Sequence, residues 1–132
     1  MRDLLRNQTV TQSLAPAART ASANGASADL RGFDAAVITV SFGAYTDGTH
    51  TPTVQQSMDN STWTTCVFGT DTDGPADLAA VSSSAGADTV QQIGYIGSQR
   101  YLRVVMTVAG ATSGALSSAE VTAGYPHNAP TM

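Results

Sequence analysis

The chain has 132 residues and carries ten acidic against six basic side chains, for a net charge of −4, with only 12% of residues charged. An ordinary soluble domain has about twice that charge density. All six basic residues are scattered arginines, so neither the basic stripe that releases counterions from nucleic acid nor a polybasic membrane patch can form. One domain is the expectation at this length, with a core that needs no staples.

No apolar run approaches the ~20 residues of a membrane span, and residues 1–8 lack the apolar segment of a secretory signal. A soluble protein made in a cytoplasm is therefore expected. Cys66 is the single cysteine; beside Val67 and Phe68 it reads as a small buried hydrophobe. The low charge and the Ser, Thr, Ala and Gly excess fit two explanations equally: a surface meant for assembly, or the codon bias of a GC-rich genome.

Residues 1–16 read as a polar arm punctuated by Leu4, Leu5, Val10 and Leu14 and ended by Pro16. The arm is open between a short helix, an edge strand and a tail that orders on a partner. Its removal through residue 14 is expected to leave a folded domain. Residues 17–21 and 26–30 are short strand candidates around the turn signal Asn24-Gly25. The strongest strand is 35–45, where Ile38, Val40, Phe42 and Ala44 alternate with Thr39, Ser41 and Gly43.

A turn at 46–49 leads to a strand at 53–58. Asp59-Asn60-Ser61 then turns the chain into a strand at 62–68, giving a hairpin with Trp63 capping the core. Residues 69–75 form an Asp- and Gly-rich loop, and 77–86 is open between a helical turn and a loop. Strands follow at 89–95, at 100–108 with Leu102, Val104, Met106 and Val108 on one face, and at 115–124. Pro126 and Pro130 should leave 126–132 extended.

The fold class expected is all-β: an antiparallel, jelly-roll-like β-sandwich of about seven or eight strands with little or no helix. The chain divides into an arm at 1–16, a sandwich at 17–125 and a tail at 126–132.

No catalytic, cofactor or metal constellation is expected. His50 and His127 belong to no paired-ligand motif. Asp71-Thr72-Asp73-Gly74 opens like a calcium loop, but Ser82 stands where the loop would need a bidentate Glu. Glu120, the only glutamate, has no carboxylate partner in sequence. A nucleophile elbow and a phosphate-cradling Gly-Lys-Ser/Thr sequence are both absent. Tyr101 and Arg103 share the face opposite Leu102, as either an interface anchor or plain sheet surface. The expected function is binding or structural rather than enzymatic.

Three stretches taken together resemble a known family. They are Leu30-Arg31-Gly32-Phe33-Asp34 with the run Ala36-Val37-Ile38-Thr39-Val40; Thr46-Asp47-Gly48-Thr49-His50-Thr51-Pro52 with Val54-Gln55-Gln56-Ser57 and Asp59-Asn60-Ser61-Thr62-Trp63; and Gly94-Tyr95 through Val108. In order and spacing they resemble small tailed-phage proteins encoded with the head genes, whose members look like capsid decoration (cement) proteins with a jelly-roll fold. The resemblance spans residues 12–130 and offers no catalytic residue.

It implies a virion protein on the capsid exterior, with the major capsid protein as partner and a dimer or trimer as its own state. The candidate capsid or subunit contacts are Leu4, Leu5, Val10, Leu14, Tyr101, Arg103 and Tyr125. The alternatives are a carbohydrate- or receptor-binding module, using Trp63, Tyr45 and Tyr101 as a stacking surface, and a head-completion or tail protein.

Overall fold

The computed structural model describes residues 5–126. Leu4, His127 and Pro130 therefore lie outside the described residues, as does the tail beyond Pro126.

Ten strands form: β1 (Gln8–Arg19), β2 (Ala23–Asn24), β3 (Ala28–Asp29), β4 (Phe33–Tyr45), β5 (Thr49–Ser57), β6 (Thr64–Thr65), β7 (Thr72–Asp73), β8 (Thr89–Tyr95), β9 (Tyr101–Ala109) and β10 (Ala115–Pro126). Only 3₁₀ turns at Leu5–Asn7 and Ser84–Gly86 interrupt them among the described residues. Pairing is nested from the chain ends inward. β1 pairs with β10, β2 and β3 with β9, β4 with β8, and β5 with β6, all antiparallel. That nesting is the rolled ribbon of a jelly roll.

The roll flattens into two sheets. One has the order β1-β10-β4-β8-β7; the other has β2-β9-β5-β6, with β3 also on β9. Alternation places Ile38, Val40 and Phe42 of β4 inward, opposite Leu102, Val104 and Met106 of β9, and all six are buried. Val121 and Ala119 of β10, Ile93 of β8 and Val54 of β5 complete the contact between sheets. The small side chains of β10 let the sheets approach there.

Several sequence expectations change. The boundary at residue 16 disappears, because β1 runs unbroken through Pro16 to Arg19. The segment is an edge strand, and the separate strand expected at 17–21 is its end. Leu14 is a core residue at 3% exposure rather than a surface contact. The reason is a β-bulge: Gln12 pairs with Glu120 and Leu14 with Ala119, so Ser13 is an extra residue. Both Ser13 and Leu14 consequently point inward.

Asn24-Gly25 is not a hairpin turn. Gly25 instead donates to the Val104 carbonyl at 2.8 Å, and a Cβ there would collide with the Ser13 hydroxyl. The strand expected at 62–68 shrinks to β6, whereas β5 begins at Thr49, four residues early. Pro126 is the last paired residue of β10, opposite Phe33, rather than the first of a tail. Residues 77–83 form a loop whose Val81 bridges back to His50, and 84–86 a single 3₁₀ turn, so both readings of this stretch hold in part.

The Ser13 hydroxyl holds the seam between the sheets. It accepts from the Val104 N–H at 2.9 Å and donates to the Ala26 carbonyl at 2.8 Å. Ser13→Ala leaves that buried N–H without a partner and should cost about 1–3 kcal/mol. Leu14→Ala should cost about 2–5 kcal/mol through its cavity. Removing residues 1–14 takes both and should unfold the domain, contrary to the expectation from sequence. Urea midpoints and far-UV circular dichroism check all three.

Candidate interaction surface

The turn after β5 sets the first part of the surface. The Asp59 carboxylate accepts from the Thr62 and Ser61 N–H groups at 2.8 and 2.9 Å and from the Ser57 hydroxyl at 2.9 Å. Asn60 takes a positive φ of 59°, which asparagine tolerates. Those bonds, led by the one from Thr62, hold the Asp59 carboxyl down at about 2. The turn delivers Trp63 to the outer face of the β9 sheet. There the Arg103 guanidinium lies 4.4 Å from the Trp63 ring centre, while its Nε donates to Gln55 at 2.9 Å.

Tyr101 is two residues before Arg103 on the same face of β9. Arg100 packs 4.9 Å from the Tyr101 ring centre and grips Asp29 with two bonds of 2.8 and 2.9 Å. That grip holds the Asp29 carboxyl at about 2. Trp63, Arg103, Tyr101 and Arg100 thus form one half-exposed aromatic–arginine surface.

The surface continues into a groove of about 760 Å³ at the adjoining end of the roll, lined by Leu30, Phe33, Met58, Tyr95, Ile96 and Arg100 among others. The Tyr95 hydroxyl fixes its floor, donating to Gln56 at 2.7 Å and accepting from the Gln99 N–H at 2.9 Å. Burial raises the Tyr95 pKa. Met58 and Ile96 stand mostly exposed on the rim. Register brings Leu5 and Tyr125 to this same end, since Gln8 pairs with Gly124 and Pro126 with Phe33. Both are over three-quarters exposed.

Of the sequence candidates, Leu5, Tyr125, Tyr101 and Arg103 therefore gather around one end. Val10 lies on the outer face of the other sheet and Leu14 in the core. Met58, Ile96 and Phe33 were missed, because two loop residues and the first residue of a strand carry no periodicity to mark them. Trp63 does not cap the core. Tyr45 sits at the opposite end, donating to the Gly48 carbonyl at 2.7 Å with its ring edge-on to His50, so Trp63, Tyr45 and Tyr101 do not form one stacking platform.

Several other titratable groups serve the fold. His50 is fully buried, with Nε2 2.9 Å from the Asp47 carbonyl and Nδ1 unpartnered. The Asp47 carboxylate accepts from the N–H groups of Gly114, Thr112 and Ser113, which lower its pKa. Asp71 accepts from the Val67 N–H and Asp73 from that of Gly74, so the calcium-like sequence forms two local caps. Cys66 is partly buried against the core, and burial pushes its thiol up to about 12. Among the described residues no group of three or more His, Cys, Asp or Glu is placed to hold a metal.

No protein-family model matches the sequence, and no curated protein does. Two solved structures share the fold. The SPBc2 prophage-derived protein YomS aligns at a TM-score of 0.54 and 15% identity, over 89% of this chain and 94% of its own. The PBSX exported protein XepA aligns at 0.54 and 19%, over 94% of this chain but 39% of XepA. The present chain thus spans well under half of XepA. At these identities the likeness is one of fold.

Trp63 is the only tryptophan, so its emission reports on the Asp59 turn. The ordinary Asp value is about 3.9. A carboxyl held lower when folded stabilises the turn fully above that value and loses the effect as pH falls through about 2. Trp63 emission should therefore shift to longer wavelength between about pH 4 and pH 2. Asp59→Ala should show the shifted emission already at pH 7.

Proposed function

We propose that this chain is a structural virion protein that binds the outer surface of a phage capsid and cements neighbouring major capsid protein subunits. The observation that carries the reading is the open end of the roll. Met58 and Ile96 stand exposed in loops lining a largely apolar groove there, with Leu5 of the 3₁₀ turn and Tyr125 at the end of β10 exposed at the same end, beside aromatic and arginine side chains. Exposed apolar side chains grouped at one place mark a contact with another macromolecule. Arg and aromatic residues are the types that anchor such contacts.

Two further points support a phage setting. The three stretches that resemble phage head proteins all lie in this fold, two of them bordering the groove. The fold is also shared by a prophage-derived protein along nearly its whole length. Catalysis has no part in the reading: Asp29, Asp47, Asp59 and Asp71 each hold a turn, a loop or an arginine. A rigid sandwich with a sticky end suits repeated weak contacts on a lattice, where many copies act collectively.

Copy number tests the reading. Quantitative mass spectrometry of purified particles should find hundreds of copies; about a dozen or fewer would point to a portal or tail position instead. Met58→Asp combined with Ile96→Asp should lower attachment to bare capsids at least tenfold, roughly what a lost hot spot costs. The substituted domain should keep its circular dichroism spectrum. Unchanged attachment would remove this end from the contact.

A further inference from the structure

Among the described residues the sandwich has one long free edge, β1, and its two halves are treated differently. From Ala15 to Arg19, β1 carries a second bulge and Pro16. The Arg19 guanidinium caps that stretch, donating to the carbonyls of Ala15 and Ser117 at 2.7 Å and of Ala17 at 3.3 Å. Ser13 is occupied too, accepting from the Ala26 N–H at 2.7 Å. Proline, bulges and inserted charge are the ordinary protections of an edge strand against pairing with another chain.

Thr9 to Gln12 have none of these. The segment is uncharged and in unbroken register, and its backbone bonds run only to β10 among the described residues. The other edges are short or covered. β2, β3, β6 and β7 have two residues each. The free side of β8 is covered by Gln91, whose amide both donates to and accepts from the Ala79 backbone. β5 is covered by Val81, which exchanges two bonds with His50.

The geometry points to a second copy of this chain as the occupant, through antiparallel β1–β1 pairing centred on Val10 across a two-fold axis. The argument is in the side chains. Gln8-Thr9-Val10-Thr11-Gln12 reads the same in both directions. A two-fold antiparallel pair centred on Val10 therefore sets Val10 against Val10, Thr9 against Thr11 and Gln8 against Gln12. Every pair is uncharged, and Thr–Thr and β-branched pairs are favourable across strands.

Val10 is 53% exposed on the outer face, in one row with Thr122 and Val37. Pairing extends that row and joins two five-stranded sheets into one. The contact is small, so the pair should be weak and concentration-dependent. It stands independently of where the protein acts.

Sedimentation equilibrium on the full chain tests it. The expected mass rises with concentration from 13.5 kDa to twice that value and no further. Val10→Lys and Val10→Glu each place like charges face to face at the axis, and each should weaken the pair roughly tenfold or more. An equimolar mixture of the two should restore pairing. Melting curves near that of the unaltered protein show that the variants fold. If they do not fold, Val10→Cys in a Cys66→Ser background with a short bis-maleimide provides a second readout, and a covalent dimer is expected. A single-chain mass persisting to about 1 mM overturns the inference, as do a trimer, a dimer indifferent to Val10→Lys, or absence of the cross-link.

Discussion

The structure depends on one hydroxyl at a seam. A jelly roll is a long ribbon folded over on itself, and here its first strand lies at the edge of one sheet, beside β9 of the other. The Ser13 side chain, midway along β1, bridges that gap. It bonds to Val104 of β9 and to Ala26, while its own carbonyl takes the Ala26 N–H. The bulge that frees Ser13 from β10 also turns Leu14 into the core, so one inserted residue provides both the polar link and the apolar plug. Gly25 is glycine because a side chain there would displace that hydroxyl.

The far end of the roll is closed by a different device. Asp47, in the tight turn between β4 and β5, gathers three consecutive N–H groups of the β9–β10 loop. Gly114 closes that loop at a φ of 77°, where its missing Cβ leaves room for the Arg19 carbonyl. With carboxylate, buried histidine and Tyr45 all engaged there, this end is a fastening. The opposite end is held by the Asp59 turn, by the Tyr95 hydroxyl between Gln56 and Gln99, and by the grip of Arg100 on Asp29, a surface pair of a kind that contributes little to stability. The two ends therefore differ in what they expose: only this second one carries Met58, Ile96, Leu5 and Tyr125 open to solvent.

How much of this was legible in the sequence follows from what makes each element. β4 and β9 could be read directly, because each buries one face along its whole length and so keeps period two. β1 could not. Its bulge places two inward residues side by side, which breaks the alternation and left the edge strand as one of three readings of the arm. The two-residue strands β2, β3, β6 and β7 have no pattern of their own; they exist because β9, β5 and β8 offer them partners. The pairing of Tyr101 with Arg103 was visible from their spacing, and the structure adds Trp63 above Arg103. The groove was invisible, since Phe33 at the start of β4 and Met58 and Ile96 in separate loops come together only through the nested pairing.

The low charge acquires a physical meaning from these placements. Asp29, Asp47, Asp59, Asp71, Asp73 and Asp77 each bond to a nearby N–H or to an arginine, so most of the acidic side chains shape the turns that frame the sheets. Arg19 and Arg103 are likewise committed, one to carbonyls along β1 and one to Trp63 and Gln55. Facing outward on the β4 sheet are Val10, Thr122, Val37, Thr39, Val90 and Gln92 among others, with the lone Glu120, a face of low charge. Net charge is what ordinarily keeps a small domain apart from its copies and partners. A chain that spends most of its charges on its own turns leaves outside a sheet of low charge, an edge strand and an apolar rim, so the proposed contacts would rest on shape and backbone pairing rather than on electrostatic attraction.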